Sequence, residues 1–181
     1  MDKINSTLSI EQRELLDLHL RYVIEENKTT NLTRITDWET AKILHVEDSL
    51  VGVPFIEKAP QGDYLDMGTG AGFPGIPIAI TTERKTLLAD SVGKKITALN
   101  RMITKLSLEG IVSTFQGRIE DLAKDQPENF SVITARALSS LSSLLELASP
   151  LLKMNGHLIC YKSQDIDDEL MHAKTVCNNL V

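Results

Sequence analysis

The stretch Tyr64-Leu65-Asp66-Met67-Gly68-Thr69-Gly70-Ala71-Gly72-Phe73-Pro74-Gly75-Ile76-Pro77 constrains this chain more than any other: an apolar run ends in a carboxylate and enters a turn with three alternating glycines. Glycine tolerates φ > 0 and leaves space where a Cβ would stand, so such a turn brings backbone close to a ligand. Pro74 and Pro77 mark the start of a helix, because the N–H that proline lacks has no partner in a first helical turn. Strand, turn and helix in this order predict a buried parallel strand whose turn and free helical N–H groups face a small molecule.

Two ligand classes use such a turn. The spacing Gly70-x-Gly72-x-x-Gly75 followed by Asp90 satisfies a dinucleotide fingerprint. Asp66, two residues before Gly68, instead completes Asp-x-Gly-x-Gly-x-Gly, the arrangement of S-adenosylmethionine enzymes. That cofactor carries an ammonium and a sulfonium for a carboxylate to meet, whereas a pyrophosphate would be repelled. S-adenosylmethionine is therefore the expected cofactor, with Asp66, Gly68, Gly70 and Gly72 around it, and a nicotinamide dinucleotide is the alternative. The run Thr86-Leu87-Leu88-Ala89 ends in Asp90, a second buried strand with an acidic tip that can hold ribose hydroxyls or cap a helix.

At 181 residues the chain is long enough for one good core but short for a two-half dinucleotide sheet plus a substrate domain, which weighs against a dehydrogenase. No window reaches the ~18 apolar residues of a membrane span, and the amino terminus shows no basic-then-apolar export pattern, so a cytoplasmic protein is expected. Cys160 and Cys177 lack metal-ligand spacing and read as reduced structural thiols, with no metal implied. The net charge of −6 excludes a broadly basic nucleic-acid surface and leaves room for a local one. Lys94, Lys95, Arg101 and Lys105 follow Asp90 on one helix, the last two reading as solvent-facing. Arg118, Arg136 and Lys162 fall at or just after strand ends, where an open α/β sheet forms its ligand crevice.

Ser9-Ile10-Glu11-Gln12 is a capping box opening a helix, and Thr36-Asp37-Trp38-Glu39 opens a second one running through Ile43, Leu44 and Val46 to about Val51. Asn31 caps or braces the loop between them. His45 and Asp48, three apart, share a helical face and are placed to hydrogen-bond. After Pro60-Gln61-Gly62 the pattern becomes strand-helix alternation, with strands near 63–67, 86–90, 111–115, 130–135 and 156–161. That alternation predicts a parallel, doubly wound α/β sheet. The expected division is a helical cap over residues 1–58 and a Rossmann-like domain over 59–181.

Asn31-Leu32-Thr33, His45-Val46-Glu47-Asp48-Ser49, the loop Gly68 to Pro77, Asp90-Ser91-x-x-Lys94-Lys95, Gly117-Arg118-Ile119-Glu120, Thr134-Ala135-Arg136-Ala137 and Tyr161-Lys162 together resemble the bacterial small-subunit ribosomal RNA guanine-N7 methyltransferases, the glucose-inhibited division protein B family. The Pro-Gly-Ile-Pro continuation of the loop is the specific part of the likeness. The resemblance implies transfer of a methyl group from S-adenosylmethionine to N7 of guanine 527 in the 530 loop of 16S rRNA, on naked RNA or a small-subunit particle, by a monomer. It implies cofactor contacts from Gly68, Phe73, Ile119, Glu120 and Arg136, with Lys94, Arg118 and Lys162 facing the RNA or the reacting base. Two departures are visible. The family follows the fifth strand and its helix with two further strands, so this chain is expected to lack the antiparallel edge, and it reads Tyr161-Lys162-Ser163 where Tyr-Lys-Gly is common.

Guanine N7 offers a lone pair with no proton to remove, so methylation there needs alignment of the reacting atoms and no general base. The position after the fourth strand, where amine methyltransferases carry Asn/Asp-Pro-Pro-aromatic, reads Thr134-Ala135-Arg136-Ala137, which disfavours an exocyclic amine. Arg136 can pair with the cofactor carboxylate, hydrogen-bond guanine O6, or form an ion pair with Glu120 or Asp121. A module that binds adenosine without catalysing anything is the alternative from another class.

Overall fold

The computed structural model describes residues 8–162 and 166–179. Its centre is a five-stranded, all-parallel sheet of β1 (Asp63–Met67), β2 (Thr86–Asp90), β3 (Val112–Gln116), β4 (Phe130–Arg136) and β5 (Leu152–Tyr161), in the order β3-β2-β1-β4-β5. Between them run α5 (Gly75–Thr82), α6 (Gly93–Lys105), α7 (Ile119–Asp125) and α8 (Leu141–Ala148), and α9 (Asp167–Asn179) follows β5. Strand order reverses between β1 and β4, so a crevice opens at the carboxyl ends of the central strands. The expected strands are all present. β5 begins four residues before its expected start, and among the described residues it is the last strand of the sheet.

Alternate residues of each strand feed two different cores, because successive side chains leave a strand on opposite faces. Tyr64 and Val132 join Ile76, Ile78, Leu99 and Met102 on one face, while Leu65 and Ile133 join Leu122, Leu144 and Leu151 on the other. The amino-terminal helices enter the first of these cores. They comprise α1 (Ile10–Thr30), α2 (Trp38–Ala41), a π-helical turn (Lys42–Glu47), α3 (Asp48–Leu50) and α4 (Val53–Ile56). Leu20, Val23 and Ile56 lie fully buried there. Truncating one of them to alanine should cost roughly 2–5 kcal/mol.

Local sequence explains the helix ends. Ser9 accepts from the Gln12 amide and Gln12 Oε1 accepts from the Ser9 amide, the reciprocal box read from sequence. Gln12 Nε2 also donates to the carbonyls of Ile80 and Thr81 at the end of α5. Asn31 closes α1 in the left-handed conformation, φ 53°. The second cap is Asp37 and not Thr36, since Asp37 Oδ2 accepts from the Thr40 amide at 2.9 Å, and a carboxylate one residue nearer the helix wins the cap.

Ion pairs fasten α1 to α6. Arg101 and Lys105 are exposed, as expected, and still reach α1: Arg101 bonds Glu26 through Nε at 3.0 Å, and Lys105 lies 3.9 Å from Glu25 and over the Tyr22 ring. Arg84 joins the helices to the sheet. Its Nη2 donates to the carbonyls of Ile56 and Ala59, and its Nη1 to those of Pro60 and Gly62 and to Ser131 Oγ. None of the helices among the described residues is long and apolar enough to cross a membrane.

Candidate cofactor and acceptor clefts

The glycine turn closes on itself. Gly68 and Thr69 donate their amides to the Ala89 carbonyl, Gly70 donates to Asp90 Oδ2 at 3.1 Å, and Gly72 and Phe73 donate to the Thr69 carbonyl. Gly68, Gly70 and Gly72 all hold positive φ, between 60° and 91°, so the turn needs glycine at each. At the start of α5, Gly75 donates to Asp66 Oδ2, Ile76 to the Gly72 carbonyl and Ile78 to the Pro74 carbonyl, and Pro77 has no N–H. The expectation of free helical donors facing a ligand is therefore corrected: the first-turn amides of Gly75, Ile76 and Ile78 are all used within the protein.

Asp66 is corrected with it. The carboxylate is fully buried, with Oδ2 held by Gly75 and Oδ1 accepting from Thr134 Oγ1 at 2.7 Å, so it shapes the turn from below and does not line the cleft. Thr134 in turn accepts from the Tyr64 hydroxyl at 2.6 Å. Burial raises the Asp66 pKa to about 6, opposed by hydrogen bonds from Thr134 and Gly75 and by the charge of Arg136. By occupying the helix N-terminus, Asp66 also removes the donors a pyrophosphate would need. Gly72 is packing space, since a Cβ there would lie 2.7 Å from Ile76. Phe73 is buried as well, between the rings of His19 at 4.5 Å and His45 at 4.9 Å, with the Arg136 guanidinium 5.6 Å from its ring centre.

A cavity of about 400 Å³ opens above the carboxyl ends of β1 to β4. Gly68, Asp90, Arg118, Ile119 and Glu120 line it, together with Lys95 and the Ala137–Ser139 segment. Asp90 is not a helix cap: Oδ1 accepts from the Val92 amide at 2.9 Å in a local turn, and Lys95 Nζ stands 3.6 Å from Oδ2. Lys94 is exposed one position away and lines neither cavity, which displaces that expectation onto Lys95. Apolar periodicity in α6 carried the signal, since Ile96, Leu99, Met102 and Ile103 are buried and a helical turn places Lys95, not Lys94, above them.

The second cavity, about 640 Å³, lies between the amino-terminal helices and β5. Its walls include Asp48, Val51, Phe55, Arg136, Tyr161 and Lys162. Arg136 pairs with neither Glu120 nor Asp121. Its Nη1 donates to Asp48 Oδ2 at 3.1 Å and to the Leu44 carbonyl at 3.2 Å. His45 does not bond Asp48; its Nε2 bonds Thr33 Oγ1 at 2.8 Å. Burial, and then the nearby Arg136 charge, hold His45 below the ordinary histidine range. Lys162 Nζ donates to the Ser139 carbonyl and lies 2.8 Å from Glu169, while Ser163 falls outside the described residues. Tyr161 donates its hydroxyl to the Ser49 carbonyl at 2.7 Å.

His19, absent from the sequence reading, is fully buried in α1 and places Nε2 3.2 Å from the Ala71 carbonyl in the glycine turn. Desolvation, with Ala71 opposing, lowers its pKa to about 3, so it is neutral and donates to that carbonyl. No spacing rule joins residue 19 to residue 71. A histidine on the apolar face of an otherwise aliphatic helix was the available hint.

Comparison with known proteins gives a consistent result. Residues 12–180 match the family model for GidB, rRNA small subunit methyltransferase G. Ribosomal RNA small subunit methyltransferase G of Streptococcus agalactiae is 37% identical over 179 residues, covering 96% of this chain and 75% of that protein. The protein of the same name from Lachnoclostridium phytofermentans is 39% identical over 170 residues, covering 92% and 70%. Among solved structures, a Corynebacterium glutamicum protein superposes with TM-score 0.61 at 14% identity, over 97% of this chain and 84% of that one. Precorrin-6y C5,15-methyltransferase from Geobacter metallireducens gives 0.54 at 14%, over 81% and 73%, a likeness of fold. With the family model spanning nearly the whole chain and these relatives agreeing, the chain belongs to the rRNA small subunit methyltransferase G family.

Proposed function

We propose that this chain transfers a methyl group from S-adenosylmethionine to N7 of guanine 527 in the 530 loop of 16S rRNA, as a cytoplasmic monomer acting on RNA or on a small-subunit particle. One observation carries the reading: the two cavities meet at Ala137, the residue after β4, which lines both. A donor in one and an acceptor base in the other would face each other there. We take residues 59–181 as the catalytic unit and 1–58 as the cap that walls the acceptor side.

The first cavity fits the cofactor by its donor set. Asp90 stands at its floor for the ribose hydroxyls, and Gly68 gives backbone access. Ile119 and Glu120, at the start of α7, supply an apolar wall and a carboxylate. Bound there, S-adenosylmethionine supplies an electrophilic methyl on a sulfonium. The protein aligns N7 with that methyl, a contribution of roughly 7–11 kcal/mol when orientation is fully imposed. Transfer there would form the N–C bond as the C–S bond broke, leaving the positive charge on guanine with no proton for the protein to remove. Arg136 meets the O6 edge, Lys162 and Arg118 meet the RNA, and Lys94 serves as an outer phosphate contact. Phe73, Gly70 and Gly72 support the cofactor from within the turn.

Calorimetric titration with S-adenosylhomocysteine and with NAD, beside a methylation assay on 16S rRNA and on small-subunit particles, tests this. Binding of the homocysteine and a mark at guanine N7 are expected. NAD binding alone would return the dinucleotide reading, and cofactor binding without turnover would favour the silent module.

A further inference from the structure

We propose that Lys162 is a positioning residue for the cofactor, pinning residues 137–139 beside the glycine turn. The inference rests on the reading of the first cavity as the cofactor site. Residues 137–139 join β4 to α8 and wall that cavity on the side of the acceptor cleft: Ala137 lines both cavities, Leu138 and Ser139 the first. Leu138 packs against the turn itself, since a Cβ added to Gly68 would stand 2.6 Å from its Cδ1. Where this segment lies therefore sets the shape of the cofactor cavity.

The segment needs holding. Ala137 has φ 52°, in the left-handed region that an alanine rarely adopts, and such residues persist only where their surroundings fix them. On the amino side stands Arg136, bonded to Asp48 and the Leu44 carbonyl. On the carboxyl side are the Ser140 cap of α8 and Lys162, whose Nζ donates to the Ser139 carbonyl at 2.8 Å across 23 residues of sequence. Lys162 follows β5 directly and is itself fixed: Nζ lies 2.8 Å from Glu169 of α9, with 18% of the side chain exposed. One ammonium thus ties the end of β5 and α9 to the connection between β4 and α8. It carries three donors, so two serve Ser139 and Glu169 and the third is left for the RNA contact proposed above.

Lys162→Met keeps the aliphatic stem and removes every donor. With no RNA present, its affinity for S-adenosylhomocysteine should fall about tenfold, and the Leu138 methyl groups should gain mobility by NMR relaxation. Lys162→Arg, which still donates to a carbonyl and a carboxylate, should restore most of both. Glu169→Ala should give a smaller loss of the same kind, and none further in the Lys162→Met background, because Glu169 acts through the ammonium. In turnover, Lys162→Met should raise KM for S-adenosylmethionine at saturating RNA. Homocysteine affinity within about twofold of the parent would overturn the proposal, and a loss confined to RNA would leave Lys162 as an RNA contact alone. Leu138 methyls as rigid in Lys162→Met as in the parent, or additive losses in the double variant, would overturn it too. If Lys162→Met does not fold, Glu169→Ala decides by the same two readouts. Failure of the parent to bind S-adenosylhomocysteine would instead strike the cofactor reading, with the methyl mobility still deciding whether Lys162 holds the segment.

Discussion

The two cavities differ in what builds them. The first is made by consecutive backbone: a glycine turn, an Asp at a strand tip and the start of a helix, each set by its own short segment. The second is made by side chains converging from residues 48, 55, 136 and 161, whose only common property is where the fold puts them. A cleft built from local backbone tolerates little change in residue type and is stated almost literally in sequence. One built from distant side chains tolerates substitution at any single wall and is visible only once the chain has folded.

Substitution inside the first cavity should have the largest effect. Gly68→Val forces a branched residue to φ 68° and sets its Cβ 2.6 Å from Leu138, in the cleft itself. S-adenosylhomocysteine affinity should fall more than a hundredfold, about 3 kcal/mol. Retention within twofold would show that backbone does not define this cleft. Arg136→Ala comes next: methylation should drop about a hundredfold with cofactor affinity changed less than threefold, and lysine should not rescue it because the planar fork is lost. If cofactor binding collapses too, Arg136 serves both cavities and the contrast between them weakens.

A third test asks whether the first cavity depends on the helices at all. His19 braces the turn at Ala71 from a fully buried position, and burial sets its folded pKa at about 3, below the ordinary 6.5. The folded state thus binds fewer protons than the unfolded, so stability is full above about pH 6.5 and falls as pH drops towards 3. Asp66 works in the opposite sense: raised to about 6, it favours the folded state at low pH and loses that contribution as pH rises through 6. Urea melts from pH 4 to 7 should show the two trends largely cancelling in the parent below about pH 6, with the histidine's acid loss exposed in Asp66→Asn and a gain in stability on acidification in His19→Gln. The same slope in all three would show that neither group titrates on unfolding. The smallest difference is between neighbours: Lys95→Ala should weaken S-adenosylhomocysteine a few-fold, and Lys94→Ala should leave it unchanged while lowering the salt dependence of RNA binding. The reverse ranking would restore Lys94 to the site.

Strand positions, the first capping box and the glycine turn were legible because each is decided by neighbours within a few residues. Asp66 was found at the right place with the wrong role: the sequence shows a carboxylate at a strand tip, but whether it faces the cleft or the helix behind depends on a hydrogen bond to Gly75, nine residues on. Phe73 misled for the same reason, its ring turned inward between two histidines from separate helices. Arg101 read as solvated and is exposed, but its bond to Glu26 could not be seen, because that partner is 75 residues away. The pairing of Asp48 with Arg136 was out of reach, since His45 stood at an equally good helical spacing.

Arg84 sets a limit on how the acceptor side can open. By tying the carbonyls of Ile56, Ala59, Pro60 and Gly62 to Ser131 on β4, one guanidinium turns the passage from helices to sheet into a rigid joint. The amino-terminal helices could swing about that passage only by breaking those five bonds. On the proposed reading an acceptor base would enter through a mouth already shaped, with any widening coming from the side chains and the segment after β4 that rim it.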